Sequence, residues 1–138
     1  NYWLLALAPE NGILMNPRDA AAHGLEDGDH VRIVSATNPA GIWELGPGWT
    51  KPMVGRIKLT EMIMPGVLSF SLGHGHWAVG SSDMIIDGQT IPADPRRSHG
   101  VHANAAMWLD PHLKNTCMLD PIGGSVSFYD TRVRLERV

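Results

Sequence analysis

The sequence contains one cysteine, Cys117, among 138 residues. A single thiol excludes an internal disulfide and any site built from several cysteines, whether structural zinc or an iron–sulfur cluster. It leaves the compartment open, because exported proteins also occur without disulfides. A basic excess is missing as well: 11 Lys and Arg stand against 14 Asp and Glu, a net charge of -3. With no basic stretch to displace counterions, nucleic acid is not an expected partner. Long apolar runs are absent too. The run from Tyr2 to Ala8 falls far short of bilayer-spanning length and lacks the basic flank of a signal peptide, so no direct membrane insertion is expected.

What is present suits one compact domain over residues 1–138. Hydrophobic residues make up 43% and charged residues 18%, enough apolar material to build a core. The 15 Gly and 10 Pro are spread along the chain, which predicts many short elements joined by tight turns. No internal repeat and no interdomain linker is visible. Asn1 opens directly on an apolar stretch and Val138 closes a strand-like one. This leads us to expect a piece of a longer polypeptide or one component of an assembly.

Local patterns predict most elements of the first half. Asn1 to Ala8 has an apolar face and suits one or two helical turns ending before Pro9. Gly12 to Met15 reads as a short buried strand. Asn16 then suits a helix N-cap, Pro17 the first helical position, Asp19 the first turn and Gly24 a left-handed stop. Glu26 to Asp29 is turn chemistry around Gly28. His30 to Ala36 reads as a strand with Val31 and Ile33 on one face. Asn38 to Pro52 reads as a long loop. Met53 to Thr60 alternates, with Met53, Gly55, Ile57 and Leu59 inward.

The second half is less regular. Pro65-Gly66 predicts a turn and Val67 to Leu72 a strand. From Gly73 to Asp120 the strand signal is weak, and a loop of that length in a compact domain is usually functional or partly disordered. A short helix is expected near Ala103 to Leu109, and closing strands over Ser125 to Tyr129 and Thr131 to Val138. Scattered short strands with one capped helix argue for a mainly β fold with a few short helices, closed as a small barrel.

The ordered series Asn16-Pro17-Arg18-Asp19-Ala20, Gly24-Leu25, Asp27-Gly28-Asp29 and Val31 resembles a known pattern. So do Pro65-Gly66-Val67, Gly73-His74-Gly75-His76-Trp77, Asn104, Asp120-Pro121-Ile122-Gly123-Gly124 and the terminal alternating strand. The chain is similar over nearly its whole length to the C-terminal pterin-dinucleotide-binding domain of the molybdopterin oxidoreductases, the dimethyl-sulfoxide-reductase superfamily. Asn1-Tyr2-Trp3-Leu4 and Ser69 to Trp77 look most like the tetrathionate, thiosulfate and polysulfide reductase branch.

The resemblance implies a six-stranded double-psi β-barrel that contacts a bis(pterin guanine dinucleotide) cofactor carrying molybdenum or tungsten. It implies that the metal ligand and any iron–sulfur cluster lie in other domains. The chain alone is therefore not expected to be catalytic. The implied partners are the large subunit's remaining domains, together with an iron–sulfur electron-transfer subunit. The branch leaves the compartment undecided and suggests a membrane-associated complex on the extracytoplasmic face.

Such a cofactor needs backbone N–H donors, an amide-edge partner and few negative side chains. Gly73, His74, Gly75, His76 and Trp77 are the first candidates. Glycines admit a ligand close to the backbone, histidines donate or accept, and a tryptophan stacks. A tight barrel turn with a packed Trp explains the same residues without a ligand. Asn104 is the second candidate, its carboxamide matching a pterin or guanine edge, with helix capping as its bland explanation. His102, Lys114 and Thr116 are added as neighbours, and Asn1 and Trp3 as weaker contacts. The Asn16 to Asp29 unit reads as structural.

Three other readings remain open here. His74, His76, His99 and His102 could ligate a metal in a non-catalytic module. The same barrel type serves as a self-processing decarboxylase or as an ATPase binding domain; Gly80-Ser81 and Gly124-Ser125 lack the decarboxylase surroundings. In formylmethanofuran dehydrogenases a comparable domain is a separate small subunit.

Overall fold

A computed structural model describes residues 2–46, 49–76, 80–107, 109–110, 112–113, 116–127 and 131–138. The chain opens with a short helix, α1 (Tyr2–Leu7), followed by β1 (Ile13–Met15) and α2 (Pro17–His23). Helix α2 forms as expected. Asn16 stays extended and its side chain accepts from the Arg18 N–H, while Gly24 ends the helix at φ +64°. The Asn16 Nδ2 also donates to Ile63 O at 2.8 Å, so the cap ties α2 to the turn beyond the next strands.

The framework is a mixed, curled sheet. Strands β2 (His30–Ser35) and β5 (Val54–Leu59) run antiparallel, with Val31 opposite Gly55. On the other side β5 lies parallel to β1, pairing Ile57 with Ile13. Short β6 (Leu68–Ser69) joins β1, and β9 (Val133–Arg137) joins β2. The order among the described strands is β6-β1-β5-β2-β9. The turn at Asp27 to Asp29 is bolted to β5: Leu59 N–H donates to the Asp27 carboxylate at 2.7 Å, and Gly28 N–H to Ile57 O at 2.9 Å.

The core is built from the inward period-two positions of these strands. Ile13, Val31, Ile33, Met53 and Ile57 are fully enclosed, with Ala20 and Leu25 from the helical segment. Val101 enters the same core from a distant loop because residue 55 is glycine. A Cβ there would sit 2.5 Å from Val101 Cγ2 and 2.8 Å from Ile13 Cδ1. This fit anchors the loop that carries His102 and Asn104 directly on the sheet.

Several expectations are corrected. The stretch from Asn38 to Pro52 is a bulged hairpin, β3 (Ile42–Gly46) with β4 (Trp49–Pro52), and not a loop. Its Gly and Pro content hid the strands, although Pro is tolerated at an edge where no N–H is needed. Residues 73–120 also hold a hairpin, β7 (Met84–Ile86) with β8 (Gln89–Ile91), turned by Asp87 and Gly88 at positive φ. The strand expected over Val67 to Leu72 contracts to Leu68–Ser69. The helix expected near Ala103 to Leu109 is one 3-10 turn, Ala103–Ala105; another covers Pro95–Ser98. Of the strand expected over Ser125 to Tyr129, one bridge between Leu119 and Val126 is present, and residues 128–130 lie outside the described residues. The mainly β class with few short helices stands. Among the described residues no helix is long and apolar enough to cross a membrane.

Candidate cofactor site

Two loops meet beside the β1–β5 pair. The first runs from Ser71 to His76 and the second from His99 to Ala105. Their contact is at backbone level: Gly75 N–H donates to His99 O at 2.8 Å. Gly75 is buried at φ +69°, and a Cβ on it would lie 2.5 Å from the His102 nitrogen. Only glycine allows this approach. Gly100, at φ +87°, makes the second loop fit around the Asn11 side chain in the same way. Asn11 bonds both loops at once, to Ser71 O, Val101 O and Val101 N–H.

The imidazoles sit on this double loop. His102 packs its ring on Trp43 of β3 with centroids 3.8 Å apart, and His76 approaches it edge-on at 5.6 Å. Burial holds the His102 pKa below the ordinary imidazole value, and the neighbouring His76 and Lys51 lower it further. Lys51 of β4 donates to Ser98 O, and burial lowers its own pKa. His74 Nε2 lies 3.3 Å from the Ala8 carbonyl, which can only accept, so Nε2 carries the proton. The Nδ1 atoms of His74 and His102 are both enclosed with no hydrogen-bond partner among the described residues. Buried polar atoms without partners are uncommon and call for an explanation.

Asn104 lies two residues beyond His102 in the 3-10 turn, and its side chain is exposed. The turn itself is fixed from behind. Asn38 Nδ2 donates to Ala105 O at 2.8 Å and the Thr37 hydroxyl to Met107 O at 3.0 Å. A rigid turn therefore presents an amide edge to solvent close to the histidine loop.

The fold thus gathers His74, Gly75, His76 and His102, with Asn104 close in sequence to the last. Gly73 takes φ +84° with nothing within 4 Å of its would-be Cβ, so it shapes the loop without packing. Among the described residues Thr116 makes no hydrogen bond to any of these. It belongs to a separate turn, where its N–H donates to Leu113 O and its carbonyl accepts from Asp110 N–H. In that turn backbone N–H groups of Leu113 and His112 hold the Asp110 carboxyl below its ordinary pKa. Trp77 and Lys114 lie outside the described residues, as does Asn1. The four-histidine metal reading fails among the described residues, where no three His, Cys, Asp or Glu side chains converge. His99 uses its carbonyl to hold Gly75, and His102 is stacked on Trp43.

Sequence reasoning missed Asn11, Trp43 and Lys51. Trp43 and Lys51 were hidden inside the unrecognised hairpin. Asn11 had only its place beside Gly12 as a signal, and its partners are 60 and 90 residues away.

Among the described residues no carboxylate bonds or pairs with His74, His76, His102 or Lys51. The site combines close backbone approach, two imidazole nitrogens without partners among the described residues, an exposed amide edge and an ammonium. This chemistry suits a planar, anionic, hydrogen-bonding ligand such as a pterin dinucleotide, whose phosphates would repel carboxylates. The class defined in this way is a dinucleotide-binding module on a mixed β-sheet.

Comparison with known proteins makes the class definite. The family model described as "Molydopterin dinucleotide binding domain" matches residues 1–42. Over 139 aligned residues, covering 100% of this chain and 13% of the relative, the chain is 42% identical to a selenate reductase subunit of Mesobacillus selenatarsenatis. It is 31% identical to a tetrathionate reductase subunit of Salmonella typhimurium, over 94% of this chain and 12% of the relative. It is also 31% identical to the molybdopterin-containing subunit of the arsenate respiratory reductase of a Shewanella species, over 96% of this chain and 12% of the relative. The chain belongs to the molybdopterin dinucleotide-binding domains of the dimethyl-sulfoxide-reductase superfamily. Its cofactor is molybdopterin guanine dinucleotide carrying molybdenum or tungsten. It spans only 12–13% of the length of these relatives.

Proposed function

We propose that the chain is the C-terminal domain of a larger oxyanion reductase and forms one wall of its bis(pterin guanine dinucleotide) pocket. In this reading Gly75 and His76 line the pocket with His102 and Asn104. His74 buttresses the loop from behind. Trp77, next to His76 in sequence, and Lys114, ten residues beyond Asn104, extend the set. The cofactor, when bound, supplies the redox chemistry of the metal. The chain's own residues bind and orient it, and they exclude water from its edge.

The observation that carries the reading is the Gly75–His102 contact. Two backbones meet so closely that no Cβ fits, and the His102 Nδ1 beside it has no hydrogen-bond partner among the described residues. The mixed strand order, with parallel β1–β5 inside an otherwise antiparallel sheet, supports a six-stranded double-psi barrel.

The substrate class we propose is an oxyanion of sulfur, selenium or arsenic, from the names of the relatives. The remaining domains of the large subunit would cover exposed apolar residues such as Met62, Leu72, Ile85 and Ile122. An iron–sulfur electron-transfer subunit would complete the complex.

The test uses the full-length polypeptide produced with cofactor. His76→Ala and Asn104→Ala are compared with wild type for released pterin fluorescence and for bound metal. A fall of several-fold in both readouts is expected. Wild-type pterin, metal and turnover in both variants would show that these residues do not line the pocket.

A further inference from the structure

Asn11 lies outside every motif that led to the site, yet it is one of few buried polar side chains, at 4% exposure. Its carboxamide is saturated on the donor side. One N–H goes to Ser71 O at 2.7 Å and the other to Val101 O at 2.9 Å, while Oδ1 accepts from Val101 N–H at 2.8 Å. It is fixed in turn by the adjoining strand, where Ile13 is wholly enclosed. We infer that Asn11 is a positioning residue that fastens the 71–76 loop to the 99–104 loop, so that both present one preformed surface to the dinucleotide. This inference rests on the cofactor reading above.

The geometry favours this role over simple space filling. Gly100 has to be glycine because a Cβ would lie 2.3 Å from Asn11 Oδ1, so the second loop is moulded on the amide itself. The first loop meets the second again at Gly75, four residues beyond Ser71, through the bond to His99 O. Two fastenings flank His74, one at each end of Ser71 to Gly75. Without the first, the second would have to hold a glycine-rich segment alone. Aspartate is nearly isosteric but has no N–H to give, and it would face two carbonyl oxygens with negative charge. Preorganised binding loops lose less freedom when a ligand arrives, so loosening them weakens binding without removing a contact to the ligand.

The test uses the full-length protein, prepared both without and with cofactor, carrying Asn11→Asp or Gly100→Ala. The second variant displaces the amide without deleting it and covers the case in which the first does not fold. Hydrogen exchange of the Gly75 and Val101 amides is read against Ile33 and Ile57 in the sheet. The Gly75 amide should exchange at least about tenfold faster in both variants, as expected when the loop loses its buried anchor at Ser71 O; the Val101 amide, whose acceptor an aspartate keeps, should quicken in Gly100→Ala, with the sheet amides unchanged in both. Cofactor release should quicken by a similar factor. Slow exchange retained at Gly75 overturns the fastening. Faster exchange with wild-type cofactor release overturns the positioning role alone if His76→Ala still loses cofactor. If His76→Ala and Asn104→Ala retain it as well, the cofactor reading falls too.

Discussion

The sheet-forming half and the loop-rich half of this chain treat apolar side chains in opposite ways. Of the buried apolar residues described, all but Val101 and Ala106 lie between Ile13 and Ile57. Beyond residue 60, large apolar side chains are mostly left in solvent, with Ile122 at 96% exposure and Met62 at 95%. The first half folds around its own core. The second half joins that core through β6 and β9 at the sheet, through Val101 in the Gly55 gap and through Asn11 between the loops. Binding surfaces are commonly placed on such loops, held by a rigid scaffold.

Substitutions can break or sharpen this contrast. The largest effect is expected in the sheet, where Ile57→Ala should cost about 2–5 kcal/mol by lost burial and cavity formation. Hydrogen exchange of the β5 amides in the full-length polypeptide measures it, and a loss under about 1 kcal/mol would deny that the first half carries the core. In the loops, Gly75→Ala should open the 71–76 segment by about 2–4 kcal/mol, since left-handed strain adds to a backbone clash. Gly73→Ala, with the same sign of φ but open space, should cost only about 1–2 kcal/mol. Equal effects in the same exchange experiment would mean that the Gly75–His102 contact is unimportant.

A pH effect of intermediate size is expected at His102. Its folded pKa is lowered, chiefly by burial, so folding favours the neutral ring. Above about pH 6.5 both states are neutral there and stability is unaffected. As the pH falls below that value the unfolded chain takes the proton first, and stability declines until the folded pKa is passed. His102→Gln should flatten this part of the stability profile relative to wild type; parallel profiles would contradict it. The smallest effect belongs to Ile122→Ser, within about 0.5 kcal/mol for local opening of its turn. A larger loss would show that Ile122 is already covered by neighbouring protein.

Legibility in the sequence divides along the same line. Asn16, Pro17 and Gly24 announced α2 because caps act through bonds only a few residues long. Met53 to Leu59 announced β5 because a half-buried strand repeats every second residue. The β3–β4 and β7–β8 hairpins escaped notice. Their strands are short, interrupted by Gly and Pro or mostly exposed, so neither alternation nor burial marked them. The histidine loop and Asn104 were selected by resemblance and residue chemistry. Thr116, a further candidate, sits in a turn with Asp110 and Leu113.

The sequence by itself determined the mainly β class, the capped helix and the inward faces of β1, β2 and β5. Each follows from interactions within one turn or one strand, where spacing is fixed by backbone geometry. Only the tertiary structure decided that Gly75 would touch His102, that Trp43 and Lys51 would flank that ring, and that Asn11 would join two loops. Those pairings bridge up to 90 residues, and no local periodicity can register them before the sheet has formed.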